Sequence, residues 1–254
     1  VVLNDYKPVT LPADEEKRLV LAGVDIITGR QDESLLDGVD RIVISPGISL
    51  DIPIVKAAQT RGIDVVSEVE VAYELSKSPI VAVTGTNGKT TTTTLLTKVL
   101  EGTGKPVRVG GNIGDSLSEV AYSMPADGFL VAELSSYQLE TIKHFRPIGA
   151  IMLNITPDHL NRHYTFENYA NCKLDITKNQ GEGDYTVINY DDPETMKLVD
   201  KIPCKVIYFS RKEMLDEGVF VKDGDIVIRE NGEEKRVLSL KDIKLLGTHN
   251  TENV

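Results

Sequence analysis

Thr84-Gly85-Thr86-Asn87-Gly88-Lys89-Thr90 stands between an apolar β-type run, Ile80-Val81-Ala82-Val83, and a threonine series, Thr91–Thr94, that leads into Leu95, Leu96, Val99 and Leu100. The spacing of those last four predicts one apolar face of a helix. Buried strand, glycine turn and helix in that order make a phosphate loop. Glycines let the backbone approach phosphates, and the N–H groups opening a helix point at an anion. Lys89 would add a point charge for the β- and γ-phosphates, and the Thr90 hydroxyl can ligate magnesium. The strict pattern G-x-x-x-x-G-K-[ST] needs glycine at position 83, where this chain has Val83. The plain alternative is a glycine-rich turn with a solvated lysine. Against it, the threonines Thr90–Thr94 each cost roughly 0.5–0.7 kcal/mol relative to alanine in a helix, so bound phosphate or tight packing must hold them.

With 254 residues, 41% of them hydrophobic, the chain can build one or two domains with real cores. A formal net charge of −11 argues against nucleic acid or an anionic membrane as partner. Cys172 and Cys204 make neither a disulfide framework nor metal-ligand spacing and read as packed thiols in a reducing compartment. No apolar run approaches membrane-spanning length and no signal peptide opens the sequence. A soluble, cytoplasmic, monomeric protein is expected.

In the first block short strands alternate with helices: Val1–Leu3, Val24–Ile27, Arg41–Ser45 and Asp64–Val66 as strands, Ala13–Ala22, Ile52–Arg61 and Glu68–Ser76 as helices. That alternation implies a mainly parallel α/β sheet, with ligands beyond the carboxyl ends of its strands. Asn4-Asp5-Tyr6-Lys7 and Ser45-Pro46-Gly47 lie at such ends, although each alone is ordinary turn chemistry. Lys77-Ser78-Pro79 reads as a hinge. The expected organisation is two consecutive α/β domains. Residues 1–78 form a Rossmann-like domain missing its opening strand and glycine turn, and residues 79–254 a P-loop ATPase-type domain. Asp223-Gly224 and Asn231-Gly232 separate apolar runs after Val219 and predict a small antiparallel β appendage. A helix is expected to begin just after Gly247-Thr248-His249-Asn250. Both ends read as cuts within a longer protein.

Glu133 ends the strand Gly128–Glu133, within reach of a metal on the nucleotide; magnesium needs few protein oxygens because it keeps several waters. His159 follows a buried strand in Thr156-Pro157-Asp158-His159, but a lone histidine is usually structural, as His144, His163 and His249 caution. Lys173 shares a helical face with Tyr169, and a lysine on such a helix usually snorkels.

Thr84–Thr94, Gly110-Gly111-Asn112-Ile113-Gly114, Glu133-Leu134-Ser135-Ser136-Tyr137-Gln138-Leu139-Glu140, Asn154–Leu160 and Tyr169–Lys173 occur in this order and at these intervals. Together they closely resemble the Mur ligases of peptidoglycan synthesis, and Glu133–Glu140 is most similar to the branch that adds D-glutamate. The resemblance implies ATP-dependent amide ligation through an acyl phosphate, with UDP-N-acetylmuramoyl-L-alanine and D-glutamate as substrates. It implies that Gly85, Thr86, Asn87, Gly88, Lys89, Thr90 and Thr91 hold ATP, and that Asn250 and Asn253 face the adenine. Thr90 and Glu133 would hold a first magnesium. His159 would ligate a second, and Lys173 would carry a carbamate. Asn112, Ser135, Gln138, His159 and the turn Ser45-Pro46-Gly47 would contact the sugar nucleotide. Asp5, Tyr6 and Lys7 would contact its uridine; the family has threonine and arginine at the last two positions. A separate C-terminal amino-acid-binding domain is implied and is not in this sequence, so the chain alone is expected to be a poor ligase. The competing readings are a sister ligase for another amino acid, a non-catalytic nucleotide-sugar or ATP-binding module, and a P-loop switch, the last disfavoured because no N-K-x-D motif is present.

Overall fold

A computed structural model describes residues 1–245, 247 and 250–254. Thr248 and His249, at the expected start of a new helix, lie outside the described residues; a short helix, Asn250–Asn253, follows them. The class is α/β, as expected. Two compact units divide between Val65 and Val66: Val1–Ile44 with Ile48–Val65, and Ser45–Gly47 with Val66–Val254. The helix Glu68–Leu75 therefore goes with the larger unit, ahead of the proline at 79 where the sequence suggests a boundary. Its carboxylates explain why. Buried Glu70 accepts from the amides of Lys143, His144 and Phe145 at 2.7, 2.6 and 3.1 Å, and Glu68 accepts from the amide of Ser118 at 2.5 Å. Charge-assisted bonds of this kind are about twice as strong as neutral ones.

The smaller unit holds β1 (Val2–Asp5) parallel to β2 (Asp25–Thr28), and β3 (Arg41–Ile44) beside β4 (Asp64–Ser67), of which Val66 and Ser67 count with the larger unit. These are two separate two-stranded sheets rather than one continuous sheet. Leu36, Ile44, Ile54, Val55, Ala58 and Val65 form its core around the second pair, whereas the helix Ala13–Leu21 beside the first buries no residue.

The larger unit is built on β5 (Ile80–Thr84), β6 (Val107–Gly111), β7 (Phe129–Glu133), β8 (Gly149–Met152), β9 (Tyr185–Asn189), β10 (Lys205–Ser210), β11 (Gly218–Lys222), β12 (Asp225–Glu230) and β13 (Glu233–Ser239). They form one sheet in the order β13-β12-β11-β10-β9-β8-β5-β7-β6, parallel from β6 through β11 and antiparallel beyond. From β5 the chain passes over β7 to reach β6, then returns, so β5 lies at a switch in strand order. Ligands in open α/β sheets collect at the carboxyl ends beside such a switch. Register puts Glu133 level with Val83 on β5, and Met152 of β8 level with Thr84.

The two predicted hairpins are present. Asp223 and Gly224 have φ of 51° and 81°, and Asn231 and Gly232 have 53° and 78°. Those are the paired positive values that a two-residue turn between twisted strands requires. The hairpins form the expected antiparallel appendage at one edge of the main sheet, which β11 continues from β10.

The helix Lys89–Glu101 departs from expectation. Its buried residues are Thr92, Thr93 and Thr97, while Leu95, Leu96 and Leu100 are half-buried and Val99 is 71% exposed. Two of these threonines can face the core because backbone carbonyls satisfy their hydroxyls, whereas Thr93 Oγ1 is buried without a partner. Thr97 Oγ1 donates to Thr93 O at 2.8 Å, and Thr92 Oγ1 to Asn253 O at 3.2 Å.

Candidate active site

The turn after β5 closes on the end of β8. Thr86 N donates to Asn154 O at 2.9 Å, Asn87 N to Asn154 Oδ1 at 2.9 Å, and Asn154 Nδ2 returns a bond to Asn87 O at 3.1 Å. Two loop amides are thus already satisfied within the protein. An anion is left the first-turn amides of the helix Lys89–Glu101, which by helix geometry have no intrahelical acceptor. Gly88 is the residue before that helix and has φ of 86°; a Cβ there would lie 2.2 Å from Asn253 Oδ1. The glycine therefore serves both the left-handed backbone and the approach of the Asn250–Asn253 turn, in which Asn253 Nδ2 donates to Asn250 Oδ1 at 3.0 Å. Thr90 is exposed at the start of the helix and Thr91 is half-buried.

Two lysines converge on one oxygen. Gly85 O accepts from Lys89 Nζ at 3.0 Å and from Lys173 Nζ at 2.8 Å, and Lys89 also donates to Thr86 O at 2.9 Å. Lys173 is buried, with Nζ 4.8 Å from the Tyr169 ring centroid. Burial first, and the Lys89 charge second, push its pKa down to about 7. Burial also lowers the Lys89 pKa, opposed by the charges of Glu133 and Asp158. The snorkelling alternative for Lys173 is therefore excluded: its amine sits under the loop, not in water.

Glu133 is buried at the end of β7. Its Oε1 accepts from Asn112 Nδ2 at 2.8 Å, and its Oε2 is buried with no hydrogen-bond partner. Gly111, at φ of 106°, lets the next loop pass: a Cβ there would lie 2.5 Å from Glu133 O. Ser135 and Gln138 form a capping box, Ser135 N and Oγ both donating to Gln138 Oε1 at 3.0 Å.

His159 has φ of 52° and stands before the turn Leu160–His163. Its ring lies 4.9 Å from that of Tyr137 and 6.3 Å from that of Tyr169, and its Nε2 is 3.5 Å from Asp158 Oδ2. The remaining candidates belong to other turns. Asp5 ends β1, its Oδ1 accepting from Lys7 N at 2.8 Å, and Tyr6 is exposed; Ser45-Pro46-Gly47 follows β3.

Three residues in the site had no role in the sequence reading. Asn154 braces the loop. Tyr169 OH lies 3.0 Å from Thr86 Oγ1, which also donates to Thr156 O at 3.2 Å and accepts from Thr156 N at 3.0 Å. His163 is buried among Tyr137, Ser136 and Glu140, and burial lowers its pKa. Asn154 and Tyr169 sit within the quoted motifs, but nothing in their spacing ties them to Thr86.

Among the described residues, no group of three or more His, Cys, Asp or Glu side chains is close enough to hold a metal ion by itself. That suits a cation held chiefly by phosphate and water, for which one free carboxylate oxygen and one hydroxyl suffice. The unpartnered Glu133 Oε2 fits such a cation. The buried Lys173 amine, titrating near 7, fits a lysine that reacts with carbon dioxide.

Residues 83–254 match the model of the Mur ligase middle domain, and residues 10–67 that of the Mur ligase MurD-like N-terminal domain. The chain is 47% identical over 253 residues to the UDP-N-acetylmuramoylalanine--D-glutamate ligase of Thermoanaerobacter sp. (strain X514), covering all of this chain and 56% of that protein. It is 45% identical over 255 residues to the enzyme of the same name from Alkaliphilus oremlandii (strain OhILAs), again covering 56% of it. The chain thus spans just over half the length of these relatives. Among solved structures it is similar in fold to UDP-N-acetylmuramate:L-alanyl-gamma-D-glutamyl-meso-diaminopimelate ligase from Neisseria meningitides, with a TM-score of 0.61, 22% identity, and coverage of 99% of this chain and 82% of that one. It is also similar to MurF ligase from Thermotoga maritima in complex with ADP, with a TM-score of 0.56, 21% identity, and coverage of 99% and 57%.

Proposed function

The chain belongs to the Mur ligase family, and from that membership we propose that it supplies the nucleotide and metal machinery of an ATP-dependent ligase joining D-glutamate to UDP-N-acetylmuramoyl-L-alanine. One observation carries the reading: Lys173 Nζ reaches Gly85 O at 2.8 Å across 88 residues of sequence, putting both candidate cationic groups on the phosphate loop. A carboxylate oxygen of the alanyl group attacks the γ-phosphorus of ATP, the bond to the β-phosphate oxygen breaks, and ADP leaves. The D-glutamate amine then attacks the acyl carbon, the phosphate departs, and the ammonium loses a proton to leave the amide.

The first step brings anions together. At about 4 Å a pair of unit charges repels by ~1 kcal/mol in water and ~4 kcal/mol at an effective dielectric near 20. In this reading Lys89 leaves the Gly85 and Thr86 carbonyls to meet the β- and γ-phosphates, and the helix amides from Lys89 onward receive the remaining charge. Thr90 and Glu133 would hold one magnesium ion, and His159 with carbamylated Lys173 a second. When bound, magnesium neutralises phosphate and carboxylate oxygens. Asn250 and Asn253 border the loop as an adenine contact would. Asn112, Ser135, Gln138, His159 and Ser45-Pro46-Gly47 are assigned to the sugar nucleotide, and Asp5, Tyr6 and Lys7 to its uridine.

The test is phosphate release from ATP by the protein at the length of its relatives. Release that requires both UDP-N-acetylmuramoyl-L-alanine and D-glutamate supports the reading. Lys173→Ala should lose about a hundredfold in turnover and recover part of it with a small added carboxylic acid. Release that ignores D-glutamate, or unchanged turnover in Lys173→Ala, would contradict it. The 254-residue chain by itself is expected to bind ATP and turn over poorly.

A further inference from the structure

Behind His159 lies a group of side chains that the phosphate chemistry does not use. Arg162 clasps Glu140 with a fork of bonds, Nε to Oε1 at 3.1 Å and Nη2 to Oε2 at 2.6 Å, in a nearly buried position. His163 Nε2 lies 2.9 Å from Ser136 Oγ, and its Nδ1 lies 3.4 Å from Glu140 Oε1. His163, Arg162 and His159 all lie against Tyr137. The His163 ring stacks on it at 5.6 Å and 14°, the Arg162 guanidinium lies 5.5 Å from its centroid, and His159 rests on it at 4.9 Å.

The backbone between these contacts is one helical turn, Leu160–His163, bracketed by two non-glycine residues with positive φ: His159 at 52° and Tyr164 at 66°. Tyr164 has ψ of −42°, and the Thr165 amide donates to the His163 carbonyl across it at 2.7 Å, a strained γ-turn. Strain of this kind persists only where surrounding structure over-determines it. Asn168 Nδ2 on the helix Phe166–Leu174 donates to His163 O at 3.0 Å, and the Tyr169 ring lies 5.3 Å from that of His163. The contacts to Ser136, Tyr137 and Glu140 lead elsewhere. Ser136, Tyr137 and Glu140 belong to the segment that follows Glu133 at the end of β7, whereas Arg162 and His163 belong to the turn that carries His159 beyond β8.

We infer that Glu140, Arg162 and His163 are positioning residues that tie the turn bearing His159 to the segment following Glu133, and so fix these two side chains relative to each other. The inference rests on the proposed metal role of Glu133 and His159 for its purpose, but not for its geometry. Groups that orient a metal ligand without touching the metal typically account for 10–100-fold in affinity. Glu140→Gln keeps volume and loses the charged fork. Arg162→Lys keeps charge and loses the fork, a change that is not conservative at a bidentate site.

The test has two readouts on the purified chain. The first needs no metal: the histidine-ring NMR shifts of His159, identified by their absence in His159→Asn, report its ring against Tyr137. In Glu140→Gln, Arg162→Lys and His163→Asn these shifts should move toward those of a free histidine. The second is the affinity for manganese in the presence of a non-hydrolysable ATP analogue. It should weaken about tenfold or more, while affinity for the analogue in chelator is unchanged. Asp184→Asn, which breaks the Arg146 pair elsewhere in the unit at 2.7 Å, serves as a control for loss of stability alone. Unchanged His159 shifts in all three variants, or equal movement in Asp184→Asn, would overturn the inference. If the parent chain bound no manganese with the analogue, the ligase reading would fall, and the ring shifts would still decide whether the cluster positions His159.

Discussion

Lys89 and Lys173 donate to the same carbonyl oxygen, that of Gly85, at 3.0 and 2.8 Å. Burial first, and the neighbouring Lys89 charge second, push the Lys173 pKa down to about 7. A lysine that spends part of its time neutral is a nucleophile; burial also lowers the Lys89 pKa, and there the charges of Glu133 and Asp158 oppose it.

The sign of the pH effect follows. The Lys173 pKa lies at about 7 in the folded chain against 10.5 as its ordinary value, so between them the unfolded chain binds more protons and stability rises with pH. In bicarbonate-free buffer, urea denaturation should show the protein gaining stability between about pH 7 and about pH 9, on the order of a few kcal/mol, relative to Lys173→Met. Parallel curves for the two proteins would contradict the burial of an ionisable amine.

Asn154 preshapes the phosphate loop. Asn154→Ala removes its two side-chain bonds with Asn87 and should cost about 1–2 kcal/mol in urea denaturation, with weaker binding of ATP by titration calorimetry.

Thr93 tests the threonine face of the helix. Its Oγ1 is buried without a partner, so Thr93→Val, which keeps the shape and removes the hydroxyl, should stabilise the chain by about 1 kcal/mol. ATP affinity should not change.

Tyr164 tests the strain beside His159. The residue is 70% exposed with φ of 66°. Tyr164→Gly should raise stability by about 1 kcal/mol in chemical denaturation, and Tyr164→Ala should not, because only glycine adopts that backbone without cost.

Features set by local chemistry were legible in the sequence: the Gly85–Thr90 turn after an apolar strand, the two turns at Asp223-Gly224 and Asn231-Gly232, and Glu133 at a strand end. The buried face of the helix Lys89–Glu101 was not, because apolar periodicity assigns Leu95, Leu96, Val99 and Leu100 to the core, whereas the residues buried are Thr92, Thr93 and Thr97, two of whose hydroxyls bond backbone. Nor were the braces on the loop. Asn154 meets Asn87 across 67 residues and Tyr169 meets Thr86 across 83, and such pairings leave no local period to read. His163 looks like any lone histidine until the fold sets it between Ser136 and Glu140.

The most direct measurement is diffraction from crystals grown with manganese and a non-hydrolysable ATP analogue in bicarbonate buffer. The account predicts phosphates on the first-turn amides beginning at Lys89. It predicts anomalous peaks within coordination distance of the Glu133 and His159 side chains, and added density on Lys173 Nζ. Phosphates bound away from the Gly85–Thr90 turn, or manganese that touches neither Glu133 nor His159, would contradict it.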